Sequence, residues 1–451
     1  MNVSAPRVAA AATPADTRRR SNIELGLLVL AILTILCAYA LIGLARTATL
    51  PPGMAAYGGA LAALAVAAHL VSRRLAPGAD PLPLPLAFLL NGLGLVMVNR
   101  IDYALIARGQ ESSLAPAQTV WTVVAVGAFC ATLVAVPDHR DLDRYRYLIG
   151  VGALALLALP SVPGIGATIN GAQLWIRVAG FTIQPGELAK LGLVAFFASY
   201  LADKQQLLSA ATSRLGPLMV PPARAFGPVI AIWGVSLALL VLQKDLGLSL
   251  LVFGLFVLML YVATGRPAYV AGGAVLFGVG AWFAYSAFSH VRLRVAIWLD
   301  PWADYQDEGF QLAQSLFALG TGGLAGVGLG QGRPDFIPAV ATDFIFSAFG
   351  EEAGLLGTTG LLLCYFLLVG RGLTISMRCR DGFGTLLAAG LTILFGLQVF
   401  IIVAGVTRLL PLTGLTLPLV SYGGSSLLAN YVLVALLLRV SAAKRPPGAT
   451  P

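Results

Sequence analysis

Long, nearly uninterrupted apolar stretches recur along the whole chain and restrict its fold more than any other feature. Twelve stand out, at 24–45, 54–72, 84–99, 118–136, 147–162, 185–202, 226–242, 246–264, 268–288, 343–370, 385–406 and 417–440. A helix needs about 20 apolar residues to cross the hydrocarbon core of a bilayer. Lipid offers the backbone no water to bond, so only helices and closed barrels can span it. The runs here are continuous rather than alternating, which argues against a barrel. Only 11% of the residues are charged and 58% are hydrophobic, whereas a soluble chain carries about 25% charged residues. The expected fold is all-α, a polytopic membrane protein of about 12 transmembrane helices.

Lysine and arginine mark the connections that stay inside. With the N-terminus inside, most of the 29 Lys and Arg residues fall on the inner side. They include Arg7, Arg18, Arg73, Arg140, Lys204, Arg214, Arg224, Arg266, Arg371, Arg380, Lys444 and Arg445. This orientation predicts a multi-pass plasma-membrane protein with both termini cytoplasmic. It also makes 289–342 a large extracytoplasmic loop. The net charge of +9 then reflects topology, and no nucleic-acid partner is expected. Residues 1–21 read as a disordered cytoplasmic tail with no signal cleavage site, and 441–451 as a short cytoplasmic tail. Cys37, Cys130, Cys364 and Cys379 show no pairing or metal spacing and read as small core residues.

Charged residues at membrane depth are costly and are candidates for function by default. Asp343 joins a glycine-rich polar stretch to a long apolar one, with Glu351 and Glu352 two helical turns on. Thr342 is expected to cap that helix, with Asp343 in its first turn. In QLWIRVAGFTIQPGELAK (173–190), Trp175 belongs to an outer loop and Gln184-Pro185 opens a helix. Glu187 and Lys190 lie three apart and share a face, either as a self-neutralising pair or as functional groups. Lys244 and Asp245 occupy a short outer turn, either as hydrated charges or lining a cavity. Arg292 and Arg294 follow a helix end, where they can meet lipid headgroups or clamp a phosphate bidentately.

Further along, 310–319 has the spacing of an amphipathic helix that could lie on the membrane. The stretch 320–332 carries seven glycines and reads as a tight, mobile backbone. Asp300, Asp304, Asp307 and Glu308 read as a hydrated loop, with a divalent-ion site as the alternative. In RLLPLTGLTLPLVSYGGSS (408–426), Pro411, Pro418 and Gly423-Gly424 break the helical pattern. Such breaks survive at membrane depth where they are buried or line a cavity.

Taken together these residues resemble the SEDS family (shape, elongation, division and sporulation), which includes RodA and FtsW. The resemblance rests on QPGE at 184–187 with Lys190, KDLG at 244–247, TDFIF at 342–346 with GEEAG at 350–354, and PLTGLTLPLVSYGGSS at 411–426. It covers 84–440, the expected core of ten helices, and leaves 22–83 as an extra N-terminal helix pair. Lys244 stands where proline is frequent in the family, and QPGE where QPSE is commoner.

The resemblance implies a peptidoglycan glycosyltransferase of the RodA-like, elongation branch, with a division role as the alternative. Its members polymerise lipid II on the outer face of the plasma membrane with a class B penicillin-binding protein. The expected partners are that transpeptidase, lipid II, a lipid-linked glycan and membrane lipids. The family's essential aspartate matches Asp343, expected to be the base. Trp175, Glu187, Lys190, Lys244, Asp245, Arg292, Arg294 and Ser421 are expected around the substrate. No metal ligand is assigned, although a divalent cation (Mg or Mn) would suit a pyrophosphate leaving group. A lipid II flippase and a non-catalytic scaffold remain as rival readings.

Overall fold

The structure, a computed structural model, describes residues 14–169, 172–178, 180–209, 213–215, 218–220 and 223–443. Arg7, Lys444 and Arg445 of the charge pattern lie outside the described residues, as do 1–13 and 444–451 of the expected tails.

Helices dominate: α1 (Pro14–Thr47), α2 (Met54–Leu75), α3 (Pro83–Ala107), α4 (Leu114–Ala135), α5 (Arg140–Arg144), α6 (Arg146–Ala158) and α7 (Pro185–Ser209) form the first half. The second half comprises α8 (Ala223–Leu242), α9 (Leu246–Thr264), α10 (Pro267–Ala287), α11 (Ser289–Leu299), α12 (Phe310–Gly322), α13 (Ile345–Arg378), α14 (Gly382–Val406) and α15 (Gly424–Ser441). Among the described residues, nine helices are long and apolar enough to cross a membrane. Two shorter apolar helices, α6 and α8, match expected spans. Helix α7 is long enough but carries Glu187, Lys190, Asp203 and Lys204. The polytopic helical architecture follows.

Local chemistry sets the helix ends. Pro83, Pro185 and Pro267 open their helices, where the missing amide costs nothing. Asp245 caps α9 by accepting from the Leu248 amide at 2.9 Å, and Gly265 closes it at φ 67.

Several elements depart from the sequence expectation. Helix α1 begins at Pro14 inside the expected disordered tail. There Arg20 donates to the Gly78 carbonyl at 2.6 Å and Arg73 to the Arg20 carbonyl at 3.0 Å. The last span starts at Gly424 rather than 417, because the Pro418 and Gly423 region stays non-helical. Small antiparallel sheets occupy two connections: β1 (Gly166–Ile169), β2 (Ala172–Val178) and β3 (Phe181–Ile183) in one, β4 (Ser213–Leu215) and β5 (Leu218–Val220) in the other. Helix α12 is held by the protein on one face. It packs against α13 and buries Leu312, Ala313, Ser315 and Ala318.

The glycine-rich stretch is pinned rather than mobile. Val327 and Gly328 donate to the Glu351 and Glu352 carbonyls, each at 3.0 Å. Gly330 donates to the Glu352 carboxylate at 2.8 Å. Glycine permits this because the two backbones touch. A β-carbon on Gly322 would sit 1.9 Å from the Gly350 carbonyl oxygen, and one on Gly354 would meet the Gly326 nitrogen at 2.2 Å. Gly354 itself has φ 66 and kinks α13.

The core is built around α3, α14 and α15, which are largely buried. Helix α15 packs on α4, and α14 bridges α7, α9 and α13. The N-terminal pair is held from both sides, α1 against α3 and α2 against α4. Inside it, Glu24 is fully buried between His69 (2.8 Å) and Arg73 (3.0 Å). Large apolar side chains cover the outer surface, such as Leu33 at 59% and Trp282 at 73% exposure. In water such a surface would drive aggregation, whereas in a bilayer it is the lipid contact.

Candidate active site around Asp343

A non-helical segment, 407–423, threads between helix ends at one end of the bundle. Successive spans alternate direction, so α7, α9, α13 and α15 all start at this end. The segment touches each of these starts. Gln184, just before α7, donates from its amide to the Ser425 hydroxyl at 2.9 Å. Gly247 in the first turn of α9 faces the Thr413 carbonyl, 2.7 Å from where a β-carbon would lie. Tyr422 donates its amide to the Ala341 carbonyl at 2.8 Å. Helix starts carry partial positive charge, so their convergence favours an anion.

The segment is held by buried polar groups. Ser421 is 4% exposed. Its oxygen accepts from the Leu417 amide at 2.9 Å and donates to the Thr342 carbonyl. Tyr365 donates to the Pro418 carbonyl at 2.7 Å, and Gln118 accepts from the Gly423 amide at 3.2 Å. Closely packed glycine completes the fit: a β-carbon on Gly94 would lie 2.3 Å from the Val420 carbonyl oxygen. Non-glycine residues with positive φ gather in these loops, namely Lys244 (62), Ala339 (51), Arg408 (62) and Leu419 (66). Each costs of order 1–3 kcal/mol, which the surrounding contacts must offset.

Asp343 precedes α13 instead of lying in its first turn. Phe344 is the cap residue, with no side-chain cap. Thr342 turns its hydroxyl to the Ala339 carbonyl at 3.1 Å, so it does not cap the helix. The reason is the turn at 339–343, where the Asp343 amide bonds the Ala339 carbonyl at 3.1 Å. Burial pushes the Asp343 carboxyl up to about 6, against the Thr342 hydroxyl and the Arg294 charge. Gly414, at φ 74, lies between Asp343 and Arg294: its β-carbon position is 3.8 Å from Asp343 Oδ2 and 3.8 Å from Arg294 Nη2. Arg294 is fixed there by the Leu412 and Thr413 carbonyls at 3.1 and 3.2 Å.

Behind these groups lies a buried charged cluster. Lys190, 1% exposed, donates to Glu187 Oε2 and to Gln398 Oε1, both at 2.7 Å. Gln398 in turn donates to the Thr416 carbonyl at 2.9 Å. Asp245 is raised to about 6, mainly by burial, with its Leu248 bond opposing. Glu187 raises it further, while Arg294 and Lys190 pull it down. Glu187, Lys190, Asp245, Arg294 and Asp343 therefore share one electrostatic neighbourhood.

Other expected residues stand apart. Arg292 is turned away and donates to the Ser286 carbonyl at 2.9 Å in an exposed position. Lys244 is exposed at the turn before Asp245. Trp175 lies half-buried on β2, opposite Ala167 of β1. Asp304, Asp307 and Glu308 are exposed. Among the described residues, no three acidic groups at this end converge closely enough to hold a metal ion. The sequence reading missed Gln398, although a lone amide inside an apolar helix is itself a signal. It also missed Gly414 and Arg100. Arg100, 1% exposed, pairs with Glu352 at 2.8 Å and donates to the Gly332 carbonyl at 2.6 Å.

A family profile described as a cell cycle protein, FtsW/RodA/SpoVE, matches residues 82–446. The chain is 46% identical over 436 residues to the peptidoglycan glycosyltransferase RodA of Mycobacterium tuberculosis, covering 96% of this chain and 92% of that protein. It is 39% identical over 322 residues to a probable peptidoglycan glycosyltransferase FtsW of Geobacter metallireducens, covering 71% and 83%. Its fold is similar to the solved Thermus thermophilus rod shape determining protein RodA. That match has TM-score 0.55 and 28% identity, with 80% of this chain and 96% of that one covered. A chain solved in a study of polymerization and crosslinking by a peptidoglycan synthase complex matches with TM-score 0.59 and 28% identity, covering 77% and 96%. With the profile spanning most of the sequence, the chain belongs to the FtsW/RodA/SpoVE family of cell cycle proteins, the SEDS family that its motifs resemble.

Proposed function

We propose that this peptidoglycan glycosyltransferase polymerises lipid II with Asp343 as its general base, on the outer face of the plasma membrane and with both termini cytoplasmic. The observation that carries this reading is the Asp343 carboxyl, raised by burial to about 6 and facing Arg294 across Gly414. A base works best when its pKa lies near the working pH.

In the reaction, the 4-hydroxyl of the acceptor sugar attacks the anomeric carbon of the lipid-linked donor. The bond from that carbon to the pyrophosphate oxygen breaks, and the lipid pyrophosphate leaves with the electron pair. The hydroxyl proton passes to Asp343. Arg294 and the converging helix starts face the charge that develops on the leaving group. Lys190, held by Glu187 and Gln398, adds a second cation behind them. Asp245 helps to orient both cations. Among the described residues, the acidic side chains at this end do not form a metal-binding set by themselves. A Mg or Mn requirement would therefore rest on substrate oxygens with one or two carboxylates.

A flippase needs charges along a path between the two faces. The residues named here gather at one end, which favours chemistry on one face. The working partner is a class B penicillin-binding protein, and the cellular role is elongation and shape. The test is polymerisation of lipid II by the purified protein with its transpeptidase, comparing wild type with Asp343→Asn. Glycan chains from wild type and none above background from the variant are expected. Equal product from both would overturn the assignment.

A further inference from the structure

At the end of α13 away from Asp343, about 50 Å along a helix of 34 residues, three donors from two separate connections meet. His139 comes from the turn between α4 and α5, and Cys379 and Asp381 from the turn between α13 and α14. Their ligand atoms all lie within 4.8 Å of one another. His139 Nε2 is 3.0 Å from Asp381 Oδ2, and Cys379 Sγ is 3.3 Å from the same oxygen. His139 is only 1% exposed, and Asp381 is partly screened.

We propose that His139, Cys379 and Asp381 form a binding site for a thiophilic divalent cation, with zinc as the best match, that ties the α4–α5 turn to the α13–α14 turn. Three observations carry this. The donor set is one imidazole, one thiolate and one carboxylate, which suits zinc and disfavours magnesium or calcium. The donors also close in over Gly384, which has no side chain to keep them apart. The point a β-carbon would occupy there is 2.6 Å from Cys379 Sγ, 2.6 Å from His139 Nε2 and 2.9 Å from Asp381 Oδ1. Any other residue at 384 would clash with all three donors.

The third observation is the other ring nitrogen of His139. Nδ1 is buried without a hydrogen-bond partner, yet it lies 3.1 Å from Asp138 Oδ1. Ligating histidines commonly bind the metal through one nitrogen and give the proton on the other to a carboxylate. With Nε2 on a cation, the Nδ1 proton acquires Asp138 as its acceptor after a small rotation. Without a cation, Asp381 serves as the α14 cap, accepting from the Gly384 amide at 2.6 Å. Its other oxygen meets His139, Cys379 and, at 3.7 Å, Arg140. Three protein ligands leave one position for water or for a group from a partner.

The test uses the full-length protein purified in detergent, stripped with a chelator and then given Zn2+ or Co2+. One equivalent of zinc per chain should survive gel filtration, and Co2+ should produce a thiolate-to-metal charge-transfer band that zinc abolishes. A variant with Cys379 as its only cysteine should keep the band, and Cys379→Ser should lose it. Gly384→Ala keeps all three donors but pushes them apart, so its zinc retention should fall. Asp138→Asn should weaken binding about 10–100-fold, as loss of the carboxylate behind a ligating histidine does. No band in the wild type, or equal zinc retention by wild type and Cys379→Ser, would overturn the proposal. Should Cys379→Ser fail to fold, the single-cysteine variant decides alone: a band supports the site and its absence removes it.

Discussion

The Ser421 hydroxyl donates to the carbonyl of Thr342, one residue before Asp343, and accepts from the Leu417 amide. One side chain thus ties the broken segment to the aspartate-bearing turn. Ser421→Ala removes both bonds, leaving a part-buried carbonyl and a buried amide unpaired, the amide at about 1–3 kcal/mol. A small displacement of a reacting group can cost about 100-fold in rate. The variant should lose about 10- to 100-fold in kcat while still binding lipid II. Wild-type kcat in Ser421→Ala would show that Asp343 is positioned by other contacts.

A carboxyl that titrates near 6 sets two pH dependences of opposite kind. As a base, Asp343 must be ionised, so the polymerisation rate should fall about tenfold per unit below about pH 6. Asp343→Asn, reduced by about 10²–10⁴-fold, should lack this limb. Stability runs the other way. The folded value lies above the ordinary 3.8, so the favourable contribution is complete below about pH 4 and lost as pH rises through about 6. The unfolding temperature of Asp343→Asn, compared with wild type, should therefore rise between pH 4 and 8. A constant difference would mean that Asp343 does not titrate in this range.

Arg100 and Glu352 form a pair with both side chains at most 1% exposed. Removing one partner strands a buried charge, at about 3–5 kcal/mol. Arg100→Met should markedly lower the unfolding temperature in detergent and loosen the 326–333 stretch. Arg100→Met combined with Glu352→Leu should recover much of the loss, since apolar replacement of a whole buried pair is often neutral. Additive losses would show that the two residues act independently.

Lys190 links Glu187 to Gln398, and Gln398 reaches the Thr416 carbonyl. Glu187→Gln and Lys190→Met together should lose little more activity than either alone. Gln398→Leu should lower activity too, because Lys190 and the Thr416 carbonyl each lose a partner. Gln398→Glu, which can still accept from Lys190, should recover part of it. Strictly additive losses in the Glu187–Lys190 cycle would argue against a shared role.

Orientation can be read by labelling. Tyr305 and Glu308 lie in the exposed turn before α12, and Lys204 lies near the exposed end of α7. Cysteines replacing Tyr305 or Glu308 should react with an impermeant reagent in intact cells, and one replacing Lys204 only after permeabilisation. The reverse pattern would invert the topology.

The number and placement of the long helices were legible in the sequence, because crossing a bilayer depends on local apolar length. Motif spacing also pointed to Glu187, Lys190, Asp245 and Asp343. What the sequence could not supply is convergence. Arg292 and Arg294 differ by two positions on one helix, so they point about 200° apart, given 3.6 residues per turn. Packing of α11 against 412–413 selects Arg294. Gln398 and Lys190 are 208 residues apart, and His139 and Asp381 are 242 apart, distances over which only tertiary packing decides who meets. The glycine-rich stretch makes the same point. Its composition permits free movement, but the backbone of α13 offers carbonyls at Glu351 and Glu352 and a kink at Gly354. Close backbone approach, possible where glycine omits the β-carbon, turns a flexible sequence into a fixed loop.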